Sequence, residues 1–113
     1  MSQANQKLHD TFAQVFDGSN LWIHCQRNEK GGIRHMRISR DDLSGGIWIT
    51  AKVSSRSFDF SPNGDFKNLG IADAVRLHWR TGKNMTMTTY RTRNEDAQTF
   101  AEKLLNHLNK IEA

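Results

Sequence analysis

Five histidines and one cysteine are the side chains of this 113-residue chain with the widest chemical reach. Histidine ligates metals and shuttles protons, and a cysteine thiolate is a nucleophile. His24 and Cys25 are adjacent in a stretch that alternates as a strand does, so they point to opposite faces and cannot act as a nucleophile–base pair. Cys25 falls with the apolar set and reads as a small core residue. His24, His35 and His78 gather only if the segments that carry them lie side by side. No His-x-His or His-x-x-x-His spacing is present, and no carboxylate shares their alternation. His9 and His107 fall on helical segments and read as surface residues. Asp41 and Asp42 offer two carboxylates where calcium takes about six to eight oxygens, so they read as an acidic turn or a short helix start. Gly31-Gly32 and Gly45-Gly46 match neither phosphate-loop pattern and read as turns. No catalytic, cofactor-binding or metal-binding residue is assigned, and a small histidine-based enzyme is the most remote reading.

A second constellation suits binding. With the aliphatic residues turned inward, period two puts Trp22, His24, His35, Arg37, Trp48, Lys52, Arg76, His78 and Arg80 on the opposite sheet face. Aromatic platforms interleaved with cations suit an anionic partner, either nucleic acid or an acidic protein surface. Two plainer readings compete. Arginine and lysine on strands keep a sheet soluble and guard its edges. An N-terminal helix can also cover this face, packing Phe12 and Phe16 on Trp22 and Trp48 with arginine stems around the rim. The alternative function is a protein–protein assembly module, a homodimer that buries the tryptophan-bearing face.

The elements that would position these residues follow from periodicity. Leu8, Phe12, Val15 and Phe16 predict a helix from Gln3 to Asp17, stopped by Gly18. Ala97, Phe100, Ala101, Leu104, Leu108 and Ile111 predict a closing helix, with Asn94 as N-cap, Glu95 and Asp96 in the first turn, and Lys110 near the end. Between them the period is two. Strands are predicted at Leu21 to Arg27, Ile33 to Ser39, Ile47 to Ser54, Ser57 to Phe60, Ala74 to Arg80 and Met85 to Arg91. Ser61-Pro62-Asn63-Gly64-Asp65 reads as a turn. Phe66 to Ala72 fits an edge strand or an ordered loop. In the fifth strand Val75, Leu77 and Trp79 are assigned inward. In the sixth, Met85 and Met87 oppose Thr86 and Thr88.

The predicted fold class is α+β in one domain. An N-terminal helix leads into an antiparallel meander of five to seven strands, open or strongly curled, and an amphipathic C-terminal helix packs on the sheet. The element order, strands and then one closing helix, resembles that of pleckstrin-homology-like domains. The mean hydropathy of −0.71 is low, but three Trp, six Phe and one Tyr argue against disorder. The net charge of +4 is uneven: residues 27–93 hold nine Arg and four Lys against five Asp and one Glu. That asymmetry makes the sheet the seat of any anionic partner. A single cysteine excludes an internal disulfide. No run of eighteen apolar residues and no apolar leader segment is present, so a cytoplasmic chain without a membrane span is expected.

Overall fold

The computed structural model describes residues 3–52, 56–83 and 88–111. A helix, α1 (Gln3–Phe16), leads into four strands: β1 (Leu21–Arg27), β2 (Ile33–Arg40), β3 (Gly45–Lys52) and β4 (Ser57–Gly64). A 3-10 turn, Asp65–Asn68, and a short helix, α2 (Ile71–Val75), follow. Then come β5 (Trp79–Lys83), β6 (Thr88–Arg93), a second 3-10 turn, Asn94–Asp96, and the closing helix α3 (Ala97–Asn109). Among the described residues no helix is long and apolar enough to cross a membrane.

The six strands form one antiparallel sheet in the order β1-β2-β3-β4-β6-β5. The first four make the predicted meander. After β4 the chain crosses to the far edge as β5 and returns inward as β6. β1 and β5 do not pair, and the sheet is open, not strongly curled. The two long helices explain this. They lie against each other on one face, and a side-by-side pair needs a broad floor.

That floor is the aliphatic and aromatic side of the strands. Met36, Ile38, Ile47, Ile49, Phe58 and Phe60 are fully buried on it. Phe12 from α1 and Phe100 from α3 meet over Phe58, with ring centroids 6.0 and 5.2 Å from it, and Phe100 also packs on Phe60 at 4.8 Å. Burying rings of this size contributes about 1.5–3 kcal/mol each. The face also explains the helix stripes. Leu8, Phe12 and Phe16 of α1 are buried, as are Ala97, Phe100, Ala101, Leu104 and Leu108 of α3. Cys25 lies half-buried against the same core.

Two polar side chains lock helices to strands. Buried Asn5 of α1 donates to the Ile33 carbonyl at 2.9 Å and accepts from the Ala51 amide at 3.0 Å. It thereby satisfies backbone groups of β2 and β3 beyond their paired stretch, Met36↔Ile49 to Ile38↔Ile47. Arg40, also buried, donates to the Leu108 carbonyl at 2.9 Å and to both Asp42 oxygens at 2.6 and 3.1 Å. A cation is favoured at that carbonyl-rich end of α3. It also occupies the carboxylate of Asp42 in the acidic turn.

Several local expectations change. β4 runs on through the predicted turn to Gly64. Pro62 pairs with Ile47 beyond the last pair that β4 makes with β6, Phe60↔Tyr90, and proline is tolerated at such a margin. Gly45 and Gly46 are strand residues, not a turn. A Cβ on Gly45 would stand 2.4 Å from the Asn63 carbonyl oxygen, so close strand approach demands glycine there. The predicted strand from Ala74 to Arg80 is the end of α2, three connecting residues that begin with a left-handed Arg76, and the start of β5. Ile71 and Val75, four apart, are buried as one helical face, and the Ala74 amide closes the turn on the Gly70 carbonyl. Phe66 is buried in a 3-10 turn and not in an edge strand. Asn94 does not cap α3 with its side chain. Its amide donates to the Arg56 carbonyl at 3.0 Å, which pins the chain to the end of the β4·β6 ladder. Val53 and Ser54 of the third predicted strand, and Met85, Thr86 and Met87 of the sixth, lie outside the described residues.

A candidate binding face on the open side of the sheet

Because α1 and α3 share one face, no described helix covers the other. Register assigns its residues. One row crosses four strands as His24↔Arg37↔Trp48↔Ser61, and Ser61 Oγ meets Thr89 Oγ1 of β6 at 3.0 Å. A parallel row runs Thr50↔Asp59↔Arg91↔Trp79. Trp22 pairs with Ser39, His35 with Gln26, and Lys52 with Ser57 on the same side. From β1 to β5 the face spans five strand spacings, roughly 24 Å.

Six of the nine predicted residues therefore share this surface: Trp22, His24, His35, Arg37, Trp48 and Lys52. The covering of Trp22 and Trp48 by α1 does not occur, since Phe12 and Phe16 pack on the other side.

Arg76, His78 and Arg80 do not join them. Arg76 follows α2 in a left-handed conformation, φ 50°. His78 lies half-buried between Phe60 and Tyr90, at ring distances of 6.2 and 4.9 Å, on the helix side. Its Nδ1 finds no hydrogen-bond partner among the described residues. Arg80 pairs with Tyr90 and shares that side. The cause is phase. The α2 turn shifts the chain, and a one-residue slip exchanges faces along a strand. The same slip corrects Trp79, which was assigned inward but stands opposite Arg91 with 47% of its surface exposed.

The shared surface is organised from the residue up. Trp48 is held between neighbours: the His35 ring meets it edge-on at 5.1 Å, and the Arg37 guanidinium lies 5.7 Å above it. Gly46 makes room for the Arg37 stem, because a Cβ there would come within 2.8 Å of Arg37 Cγ. His24 Nε2 and Ser39 Oγ are 3.0 Å apart. Asp59 is the carboxylate near the middle. Arg91 Nε donates to it at 2.7 Å, Arg91 Nη2 reaches it at 3.4 Å, and Lys52 Nζ stands 3.9 Å away. The Asp59 carboxylate hydrogen bond holds the Arg91 guanidinium pKa above its ordinary value. Asp59 is thus matched by two cations, and Arg37 adds one that has no carboxylate partner among the described residues. Trp22, at 52% exposure, and Trp79 are the most exposed large apolar side chains among the described residues.

Sequence reasoning missed Trp79, Asp59 and Arg91. The available signal for Trp79 was the Ile71/Val75 spacing after Gly70, which marks a helical turn and resets the alternation that follows.

The three predicted strand histidines are not one cluster, since His78 is on the opposite face from His24 and His35. Among the described residues no three of His, Cys, Asp or Glu are placed to hold a metal ion. His107 is no free surface residue: it is half-buried, and its Nε2 hydrogen-bonds the Leu69 carbonyl. Comparison with protein-family models, with curated proteins and with solved structures gives no match.

Proposed function

We propose that the open face of the sheet binds single-stranded nucleic acid. The observation that carries this reading is the gathering of Trp22, Trp48 and Trp79, with Arg37, Lys52 and Arg91, on the one face that no described helix covers. Unpaired bases offer flat apolar rings, and their phosphates offer charge. Each base stacked on an aromatic side chain is worth about 1–3 kcal/mol. Trp22 and Trp79 have the open rings for stacking, while Arg37, laid over Trp48, presents its guanidinium to a phosphate. An acidic protein surface would use the cations but leave the tryptophan rings without a matching partner.

Titration of a short single-stranded oligonucleotide, followed by tryptophan fluorescence, tests this. The expected result is saturable quenching whose affinity falls as salt rises, since phosphate contacts release counterions. Arg37→Ala should flatten the log–log salt slope by about one unit. Trp22→Ala should cost roughly ten-fold or more in affinity at fixed salt. Absence of binding at low salt contradicts the reading. Equal binding of poly-glutamate would transfer it to an acidic protein partner, and a dimeric mass in sedimentation without ligand would favour self-association through the tryptophan face.

A further inference from the structure

We infer that the cleft between α2 and α3, away from the open sheet face, is a binding site for a small phosphate-bearing molecule. The cleft has a volume of about 500 Å³, and Gly70, Asp73, Arg76, Lys103, His107 and Lys110 line it. Lys103 on α3 and Lys110, the residue that caps its end, are seven positions apart, so both fall on the side that looks toward α2. Arg76 approaches from the end of α2. Three cations therefore converge where the lining holds one carboxylate, Asp73.

What sets this cluster apart is that its cations face one cleft. Elsewhere Arg40 is paired with Asp42, Arg91 and Lys52 with Asp59, and Arg93 with Glu95, while cations such as Arg34 and Arg80 stand exposed on separate strands with no carboxylate partner among the described residues. Among the described residues Arg76, Lys103 and Lys110 have no carboxylate within ion-pair distance, and Asp73 pairs with none of them. The backbone of Arg76 is also held at φ 50° and ψ 28°, a left-handed conformation that suits glycine better than arginine. Strained residues of this kind cluster at ligand sites. Its Nε is tied to the Asp73 carbonyl at 3.3 Å, which folds the side chain back and leaves both terminal amines without a partner among the described residues. His107 Nε2 donates to the Leu69 carbonyl and so fastens α3 to the segment just before α2. The walls are fixed, while among the described residues the cationic groups have no carboxylate partner. A guanidinium fork beside two ammonium groups fits the several acceptor oxygens and double charge of a phosphate better than a single carboxylate.

The test is an amide chemical-shift titration of the full chain with inorganic phosphate and with pyrophosphate, at constant ionic strength, against chloride as control. Saturable shifts confined to residues 70–76 and 103–110 are expected, with pyrophosphate binding more tightly. Arg76→Gly removes the guanidinium while suiting the left-handed backbone, so the variant should fold. It should weaken pyrophosphate binding about ten-fold or more, as should Lys103→Gln, which leaves the backbone of α2 unchanged. Trp22→Ala should leave the affinity as it was. Shifts that rise without saturation and match those of chloride would overturn the inference. So would undiminished affinity in both Arg76→Gly and Lys103→Gln, or shifts centred on the sheet face.

Discussion

A single methyl group on Gly46 would meet the Ile38 carbonyl oxygen at 2.6 Å and Arg37 Cγ at 2.8 Å. The first contact is with backbone, which cannot swing aside, so strands β2 and β3 must part. The second is with the stem that carries the guanidinium over Trp48. Gly46→Ala should therefore do two things at once. It should destabilise the chain by about 1–3 kcal/mol, read by urea denaturation, as overpacking does. It should also weaken oligonucleotide binding under conditions where the variant is still folded, because Arg37 loses its bed. Unchanged binding with lowered stability would mean that Arg37 is not placed by this contact. The glycine pair was visible in the sequence, but its role was not. A tandem glycine marks a turn as readily as a close approach, and only the pairing of Gly45 with Gly64 distinguishes them.

At the scale of elements, the clearest pieces were those whose pattern has one solution. The α3 stripe repeats over more than three turns, and β1 alternates cleanly, so both were legible. Residues 71–80 were not, because Val75, Leu77 and Trp79 satisfy period two while Ile71 and Val75 satisfy the helical spacing. Gly70 and the left-handed Arg76 resolve the conflict in favour of α2. Pro62 posed the opposite problem: its turn propensity was overridden by pairing with β3. The contact of Arg40 with α3 was beyond reach of any local pattern, since its acceptor is 68 residues away. That contact is testable. Arg40→Met keeps an aliphatic stem but leaves the Leu108 carbonyl and Asp42 without their donor. A loss of about 2–3 kcal/mol is expected, since hydrogen bonds to charged groups contribute in that range. For a domain of this size the melting temperature would fall by roughly 10 °C. A melting temperature equal to that of the unaltered chain would show that α3 does not depend on the contact.

The whole molecule is asymmetric in a way that neither scale alone reveals. Alternation in β1 to β4 sorted aliphatic from polar side chains correctly, so six of nine face residues were legible. The sequence could not say that both helices would choose the aliphatic side, because each stripe is apolar enough to pack on any apolar floor. That choice converts a solvated strand pattern into an uncovered surface about 24 Å across with a tryptophan near each margin. It also isolates the α2–α3 cleft among the helices, so that two cationic surfaces lie on different sides of one small domain.

All three tryptophans of the chain, Trp22, Trp48 and Trp79, belong to the open face. Their indole N–H signals therefore report on it selectively. The most direct measurement is to follow those signals in a two-dimensional proton–nitrogen spectrum while a short single-stranded oligonucleotide is added at low salt. The account predicts that all three move together and saturate, while the amides of α1 stay in place. Three stationary indole signals alongside shifts elsewhere, or no shifts at all, would contradict it.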